Sequence, residues 1–140
     1  MRVLMWIVVA AVAISGCGES SDGSPLAEGK RIYADLCSVC HGSTGDGGVG
    51  PALDGVAVTW PSCRDQIAWI RLGSEGWKSE VGDTYGATGK PVNGGMPAQM
   101  GKLLDSEIAA VAAFERVIYG GVEESAALAD CGLAGTSSRD

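Results

Sequence analysis

Apolar residues recur at helical spacing in three stretches of the chain, and glycine-rich segments separate these stretches. The first predicted helix begins at Ser24-Pro25, because serine caps helix N-termini and proline suits the first helical turn. Its spacing places Leu26, Gly29, Tyr33 and Leu36 on one common face. The second predicted helix runs over residues 62–72, and Gly73 is expected to stop it. The buried side of this second helix is predicted to be Cys63, Ile67 and Ile70.

The third predicted helix begins with Asp105 and Glu107, since acidic groups suit a helix N-terminus, and Gly120-Gly121 closes it. Its apolar stripe is predicted to be Ile108, Val111, Ala112 and Ile118, flanked by Phe114. A further helical turn is expected near residues 126–128. No stretch alternates as a strand would, so the pattern predicts an all-α domain with long loops. The segment 73–95 is too long for a plain connection, and we expect it to wrap around something.

The N-terminal stretch from Val3 to Ile14 is uniformly apolar, with Arg2 in front of it. Because about 20 residues are needed to cross a bilayer, this layout indicates a signal peptide over residues 1–16. The closing residues Ile14-Ser15-Gly16-Cys17 resemble the bacterial lipobox, which implies lipidation of Cys17. An ordinary signal peptide with a stray thiol at position 17 is the alternative. Residues 17–24 are polar and predicted to be a flexible tether.

The chain without residues 1–16 is acidic, with 17 acidic and nine basic residues. Nucleic acid is therefore excluded as a partner, because phosphate binding needs a basic face. The negative charge favours docking onto surfaces rich in Lys and Arg, although it serves solubility equally well.

Cys37-Ser38-Val39-Cys40-His41 is a C-x-x-C-H motif. Two thiols one helical turn apart can bond the two vinyl groups of one haem, and the adjacent imidazole can then bind its iron. A zinc site, a redox dithiol and coincidence are the alternatives. Zinc would need further ligands at metal-site spacing, and a redox dithiol a βαβ context, neither of which the sequence provides. The motif predicts one covalently attached haem c.

The second axial ligand of the iron cannot be histidine, because His41 is the only histidine in the chain. Methionine, a less usual side chain, water or an open position remain. After residue 16 the methionines are Met96 and Met100. Met96 is favoured, because Gly94-Gly95 lets the backbone approach a ring closely and Pro97 directs the exit. Met100 remains the second candidate.

The ordered motifs identify residues 25–121 as a domain that is similar to class I c-type cytochromes of the short bacterial type. The resemblance rests on Gly29 and Tyr33, then Cys37, Cys40 and His41, then Gly50-Pro51, then Met96, then residues 104–119 with Phe114. It implies four to five short helices around one haem, with His41 and Met96 as metal ligands. It also implies that the carbonyl of Pro51 accepts a hydrogen bond from the His41 imidazole.

The function implied by the resemblance is one-electron transfer rather than enzymatic catalysis. Redox partner proteins would bind transiently at an exposed haem edge, and the N-terminal lipid would hold a monomeric carrier on the outer face of the cytoplasmic membrane. A fixed subunit of an oxidase or dehydrogenase is the alternative. A peroxidase or ligand sensor with an open sixth position is a further one.

Cys63 and Cys131 remain once Cys17 carries lipid and Cys37 and Cys40 carry haem. In an oxidising compartment these two are predicted to form a disulfide that ties the tail, residues 122–140, to the second helix. Closing a loop of that length stabilises by about 4 kcal/mol in the chain-entropy model. The aromatic residues Trp60, Trp77 and Tyr85 either cover the haem or pack in the core.

Overall fold

The computed structural model describes residues 23–135. The predicted signal segment, Cys17, most of the tether and residues 136–140 lie outside this range. Within it, no helix combines the length and apolar character needed to cross a bilayer. The elements, in chain order, are α1 (Pro25–Ile32), a π-helical turn (Tyr33–Cys37), α2 (Ser38–His41), α3 (Val56–Thr59), α4 (Cys63–Glu80), β1 (Thr84–Tyr85), β2 (Lys90–Pro91), α5 (Asp105–Ile118) and α6 (Glu124–Asp130).

Helix α1 begins as predicted, because the Ser24 hydroxyl accepts a hydrogen bond from Ala27 N–H at 3.2 Å and Pro25 opens the first turn. On the face predicted from the spacing, Gly29 and Tyr33 are buried, whereas Leu36 is 44% exposed. The reason is the π-helical turn, in which Tyr33 O accepts from the N–H five residues on. The wider turn rotates Leu36 outward.

Helices α1 and α5 cross at Gly29 with almost no space between their backbones. A Cβ atom added at Gly29 would overlap the Ala110 carbonyl oxygen and lie 2.8 Å from Phe114 Cβ. Glycine is therefore required by the close approach of the two helices. Phe114 lies inside this crossing, as the resemblance implied, and is 8% exposed.

Helix α5 is covered along most of its length by α1, α4 and α6, and every residue from Ile108 to Arg116 is buried. The predicted stripe holds for Ile108, Val111 and Ala112, each 0% exposed. It is wrong for Ile118, which is 57% exposed. Ile118 is the last residue of α5. It lies one turn beyond Phe114, where α5 contacts Gly29 of α1.

Helix α4 departs from the prediction at its second half. Gly73 does interrupt the helix, with φ 62° and ψ −176°, but residues 74–80 are helical again. The following segment contains the antiparallel pair β1–β2, with Tyr85 opposite Lys90. The sequence pattern predicted neither the second helical half nor the pair of strands, because two-residue strands are too short to show alternation.

The aromatic residues of this region pack on one another. The indole rings of Trp60 and Trp77 are 5.4 Å apart, and Trp69 stacks on Tyr85 at 4.5 Å. Trp60 and Trp77 are 6% and 7% exposed and belong to a second apolar cluster with Val56 and Val92. Trp60, Trp77 and Tyr85 therefore take part in the packing of this cluster.

The tail lies against α4 and α5 through α6, where a helical turn was expected. The structure joins Cys63 and Cys131 in a disulfide, with their Cα atoms 5.2 Å apart. The carboxylate of Asp130 accepts a hydrogen bond from Cys63 N–H at 3.0 Å and pairs with Arg116 at 2.8 Å. The disulfide and the hydrogen bond from Cys63 thus connect the start of α4 to the end of α6, and the ion pair connects α6 to α5.

A buried acid accompanies this connection on α5. Glu115 is 6% exposed, and its Oε2 accepts a hydrogen bond from Gln66 Nε2 at 2.9 Å. Burial raises the pKa of Glu115 to about 7, and the Gln66 hydrogen bond opposes that rise. Arg116 does not neutralise Glu115, since it pairs with Asp130 and donates to Trp60 O.

This burial makes the free energy of unfolding pH-dependent. Because the pKa of Glu115 is about 7 in the folded protein and 4.5 in the unfolded chain, the unfolded chain loses this proton at lower pH. The free energy of unfolding therefore falls as pH rises from about 4.5 to 7. Glu115→Gln should remove this fall and be more stable than wild type at pH 8 by on the order of 3 kcal/mol, since one pKa unit corresponds to about 1.4 kcal/mol.

Urea unfolding of the haem-loaded protein, with its iron ferrous and its disulfide intact, at pH 5 and pH 8 measures the effect. Glu124→Gln on exposed α6 is the matched control and should follow wild type at both pH values. Parallel pH profiles for wild type and Glu115→Gln would contradict the prediction.

Candidate haem-binding site

The two motif cysteines lie on consecutive turns at the end of the first helical stretch. Cys37 is the last residue of the π-helical turn and precedes α2, which contains Cys40. Both are free and partly buried. Burial, then the nearby Glu115 and Cys40, raise the pKa of the Cys37 thiol to about 12.

The imidazole of His41 is held in one orientation at the end of α2. Its Nδ1 is 2.8 Å from the Pro51 carbonyl oxygen, so Nδ1 donates and carries the ring proton. The Nε2 lone pair is then available to a metal. Gly50 lies against the ring, since a Cβ there would be 3.1 Å from His41 Cε1. His41 itself is 9% exposed.

The loop after His41 is pinned to the motif by backbone hydrogen bonds. Gly47 N–H donates to His41 O, and Gly50 N–H donates to Cys40 O, both at 2.9 Å. The hydroxyl of Tyr33 donates to Gly42 O at 2.6 Å from the other side. The glycine-rich segment 42–55 is irregular, as predicted, and these bonds hold it in place.

The structure separates the two methionine candidates by burial. Met96 is half-buried and packs against the same apolar cluster as Cys37 and Leu53. Met100 is 51% exposed. Both line a cleft of about 390 Å³ beside the second half of α4. The cleft does not distinguish them, whereas contact with the core favours Met96.

The backbone around Met96 is attached to α4 at the Gly73 interruption. Met96 N–H donates to Ser74 Oγ at 3.1 Å, and Ser74 N–H donates to Met96 O at 2.9 Å. Ser74 is 2% exposed. The sequence analysis did not single out Ser74. A serine directly after a helix-stopping glycine resembles a capping signal, but nothing in the sequence indicates that its partner lies 22 residues away.

These residues fit one covalently bound haem. The thiols of Cys37 and Cys40 and the ring of His41 come from one short stretch of helix, and Nε2 of the imidazole is unprotonated because the ring proton is on Nδ1, which donates to the Pro51 carbonyl. The loop with Met96 supplies a thioether on the same core. Among residues 23–135 no cluster of three or more His, Cys, Asp or Glu offers an alternative metal site.

Comparison with known proteins agrees with this arrangement. The sequence profile of the family described as cytochrome c matches residues 26–114. The chain is 31% identical over 104 residues to the cbb3-type cytochrome c oxidase subunit CcoP of Azospirillum sp. (strain B510). The aligned residues make up 74% of this chain and 32% of that protein. Cytochrome cL from Hyphomicrobium denitrificans shares 26% identity, with a TM-score of 0.46 over 66% of this chain and 46% of that one.

The chain spans about a third of the length of the oxidase subunit and under half of cytochrome cL. The family profile, in contrast, covers well over half of this chain and includes the helical crossing, the C-x-x-C-H motif and Met96. The all-α cytochrome c fold and the covalent haem c follow from that match: the chain belongs to the cytochrome c family.

Proposed function

We propose that this chain is a lipid-anchored one-electron carrier whose haem is bonded to Cys37 and Cys40 and whose iron is ligated by His41 and Met96. The observation that supports it most directly is the 2.8 Å contact between His41 Nδ1 and Pro51 O. That contact leaves Nε2 as the metal-binding nitrogen, beside the two free thiols of the same C-x-x-C-H motif. The bound haem would supply the one-electron iron couple.

The protein residues in this proposal hold ligands and exclude water. Pro51 fixes the ring plane of His41 and increases its basicity through the Nδ1 hydrogen bond. A thioether ligand and an apolar surrounding both favour the ferrous state, which has less charge. Ligands on a packed core change little in position between redox states, as fast electron exchange requires.

Partner docking is proposed at the face that carries the motif. Val39 lies between the two motif cysteines and is 79% exposed, and Val49 in the following loop is 93% exposed. Exposed apolar side chains beside a haem edge suit brief contacts with redox proteins. The acidic balance of the chain favours partners with basic docking surfaces.

Methionine ligation is tested by Met96→Leu. The variant should lose the long-wavelength absorption band of methionine-ligated ferric haem. Its reduction potential should fall by on the order of 0.1 V, because axial ligands tune haem potentials over about 0.8 V. Visible spectroscopy and redox titration measure both. Met100→Leu is the matched control, since Met100 is exposed, and should retain band and potential. If Met100→Leu loses the band and Met96→Leu retains it, Met100 is the ligand and the proposal for Met96 is wrong.

The anchor and the cysteine assignments are tested by the intact mass of the natively exported protein. We expect a chain that begins at Cys17, with acyl groups on Cys17, one haem, and two protons fewer for Cys63 and Cys131. Cys17→Ala should be released from the membrane with its haem retained. A mature protein that starts elsewhere, with an alkylatable thiol at position 17, would contradict the lipid anchor.

A fixed subunit of a larger complex is the second candidate, because one relative is named as a subunit of a cbb3-type oxidase. The proposal of a free carrier expects the protein, extracted from native membranes in mild detergent, to migrate alone on a native gel. Haem staining locates it. Co-migration with oxidase activity through successive columns would favour the subunit.

A further inference from the structure

The interruption of α4 exchanges hydrogen bonds between the helix and the loop that contains Met96. In an unbroken helix Ser74 N–H would donate to the carbonyl of Ile70. Here Ser74 N–H donates to Met96 O at 2.9 Å, and Ile70 O accepts from Gln99 N–H at 3.1 Å. Arg71 O likewise accepts from the backbone N–H of residue 100 at 3.1 Å. The loop therefore forms hydrogen bonds with the N–H and C=O groups of α4 that have no helical partner at the interruption.

Gly73 makes this exchange sterically feasible. Its φ of 62° lies in the left-handed region that side chains disfavour. A Cβ at position 73 would also be 2.5 Å from both Met96 O and Ala98 N. The loop backbone thus lies directly on the glycine, which brings Met96 within reach of the next residue of α4.

Ser74 binds both polar backbone groups of Met96. Its N–H donates to the Met96 carbonyl, and its hydroxyl accepts from Met96 N–H at 3.1 Å. The side chain of Gln99 adds a hydrogen bond to the Pro97 carbonyl at 3.1 Å. Because its N–H and C=O are both hydrogen-bonded, the backbone of Met96 is constrained. The freedom that remains to this residue is mainly in its side-chain torsions.

We infer that Ser74 is a positioning residue for the iron ligand: its buried hydroxyl and N–H, presented by the interrupted helix α4, hold the Met96 backbone so that the thioether stays on the iron. This inference rests on the proposed ligation by Met96. Ser74 does not touch the haem in this account, and it acts through Met96. Its loss should increase the fraction of time that the sixth position is open.

Binding of imidazole to the oxidised protein measures that fraction, because imidazole competes with the thioether for ferric iron. In Ser74→Ala one hydrogen bond to Met96 is lost. Its typical net strength corresponds to a change of about threefold to tenfold in the equilibrium between the methionine-bound and the open sixth position. The apparent affinity for imidazole should rise by that factor. Ser74→Thr retains a hydroxyl and should restore the wild-type affinity.

Two controls separate positioning from general destabilisation. Ser79→Ala removes an exposed hydroxyl from the same half of α4 and should leave imidazole affinity unchanged. Ala127→Gly removes a buried methyl group from α6, away from the motif and from Ser74, so its urea midpoint should fall while its imidazole affinity stays at the wild-type value. A rise in Ala127→Gly as large as that in Ser74→Ala would overturn the inference.

The failure of this inference differs from the failure of the proposed ligation. If Met96 is the ligand and Ser74 does not position it, Met96→Leu binds imidazole tightly while Ser74→Ala matches wild type. If Met96 is not the ligand, wild type and Met96→Leu bind imidazole equally and have the same long-wavelength absorption. The first result overturns the role of Ser74 alone, and the second overturns both.

Discussion

The crossing of α1 and α5 at Gly29 is the contact on which the haem-binding turn depends. Because Gly29 has no side chain, the two backbones approach until Phe114 is inside the crossing. Tyr33, one turn further along, is then 3% exposed, with its ring 5.6 Å from that of Phe114. Its hydroxyl reaches Gly42 O, directly after His41. A larger residue at position 29 would therefore displace the turn that contains His41, not only the two helices.

The other side of the proposed site depends on a helix that is interrupted. An interrupted helix normally leaves backbone groups without partners, which is costly when they are buried. In α4 the loop of Met96 takes the places of the missing helical partners, so most of the hydrogen bonding is retained. The conformational cost falls on Gly73, the residue type that tolerates it best. The interruption thus attaches a long loop to the core without a sheet or a further helix.

Both sides of the site share one apolar core, which suits an electron carrier better than a catalyst with moving parts. Cys37 and Met96 pack against the same cluster, which also includes Ile108 and Val111 of α5. The tail extends that core, since α6 is joined to the start of α4 by the Cys63–Cys131 disulfide and to α5 by the Arg116–Asp130 ion pair. Buried Glu115 lies close enough to raise the pKa of Cys37, so the electrostatics of this core reach the haem-bonding turn.

The sequence by itself determined the features that depend on neighbouring residues: the cap at Ser24-Pro25, the interruption at Gly73, the limits of α5 and the C-x-x-C-H motif. These are short-range matters of backbone conformation and reactive-group spacing, so a short window of residues contains them. The tertiary structure alone decided which way Leu36 and Ile118 face, that α4 resumes after its interruption, and that Ser74 holds Met96. Each of these depends on a π-helical turn, on where a crossing helix ends, or on a hydrogen bond between residues far apart in the chain. Such contacts exist only once the whole chain is packed, and no periodicity in the sequence reports them.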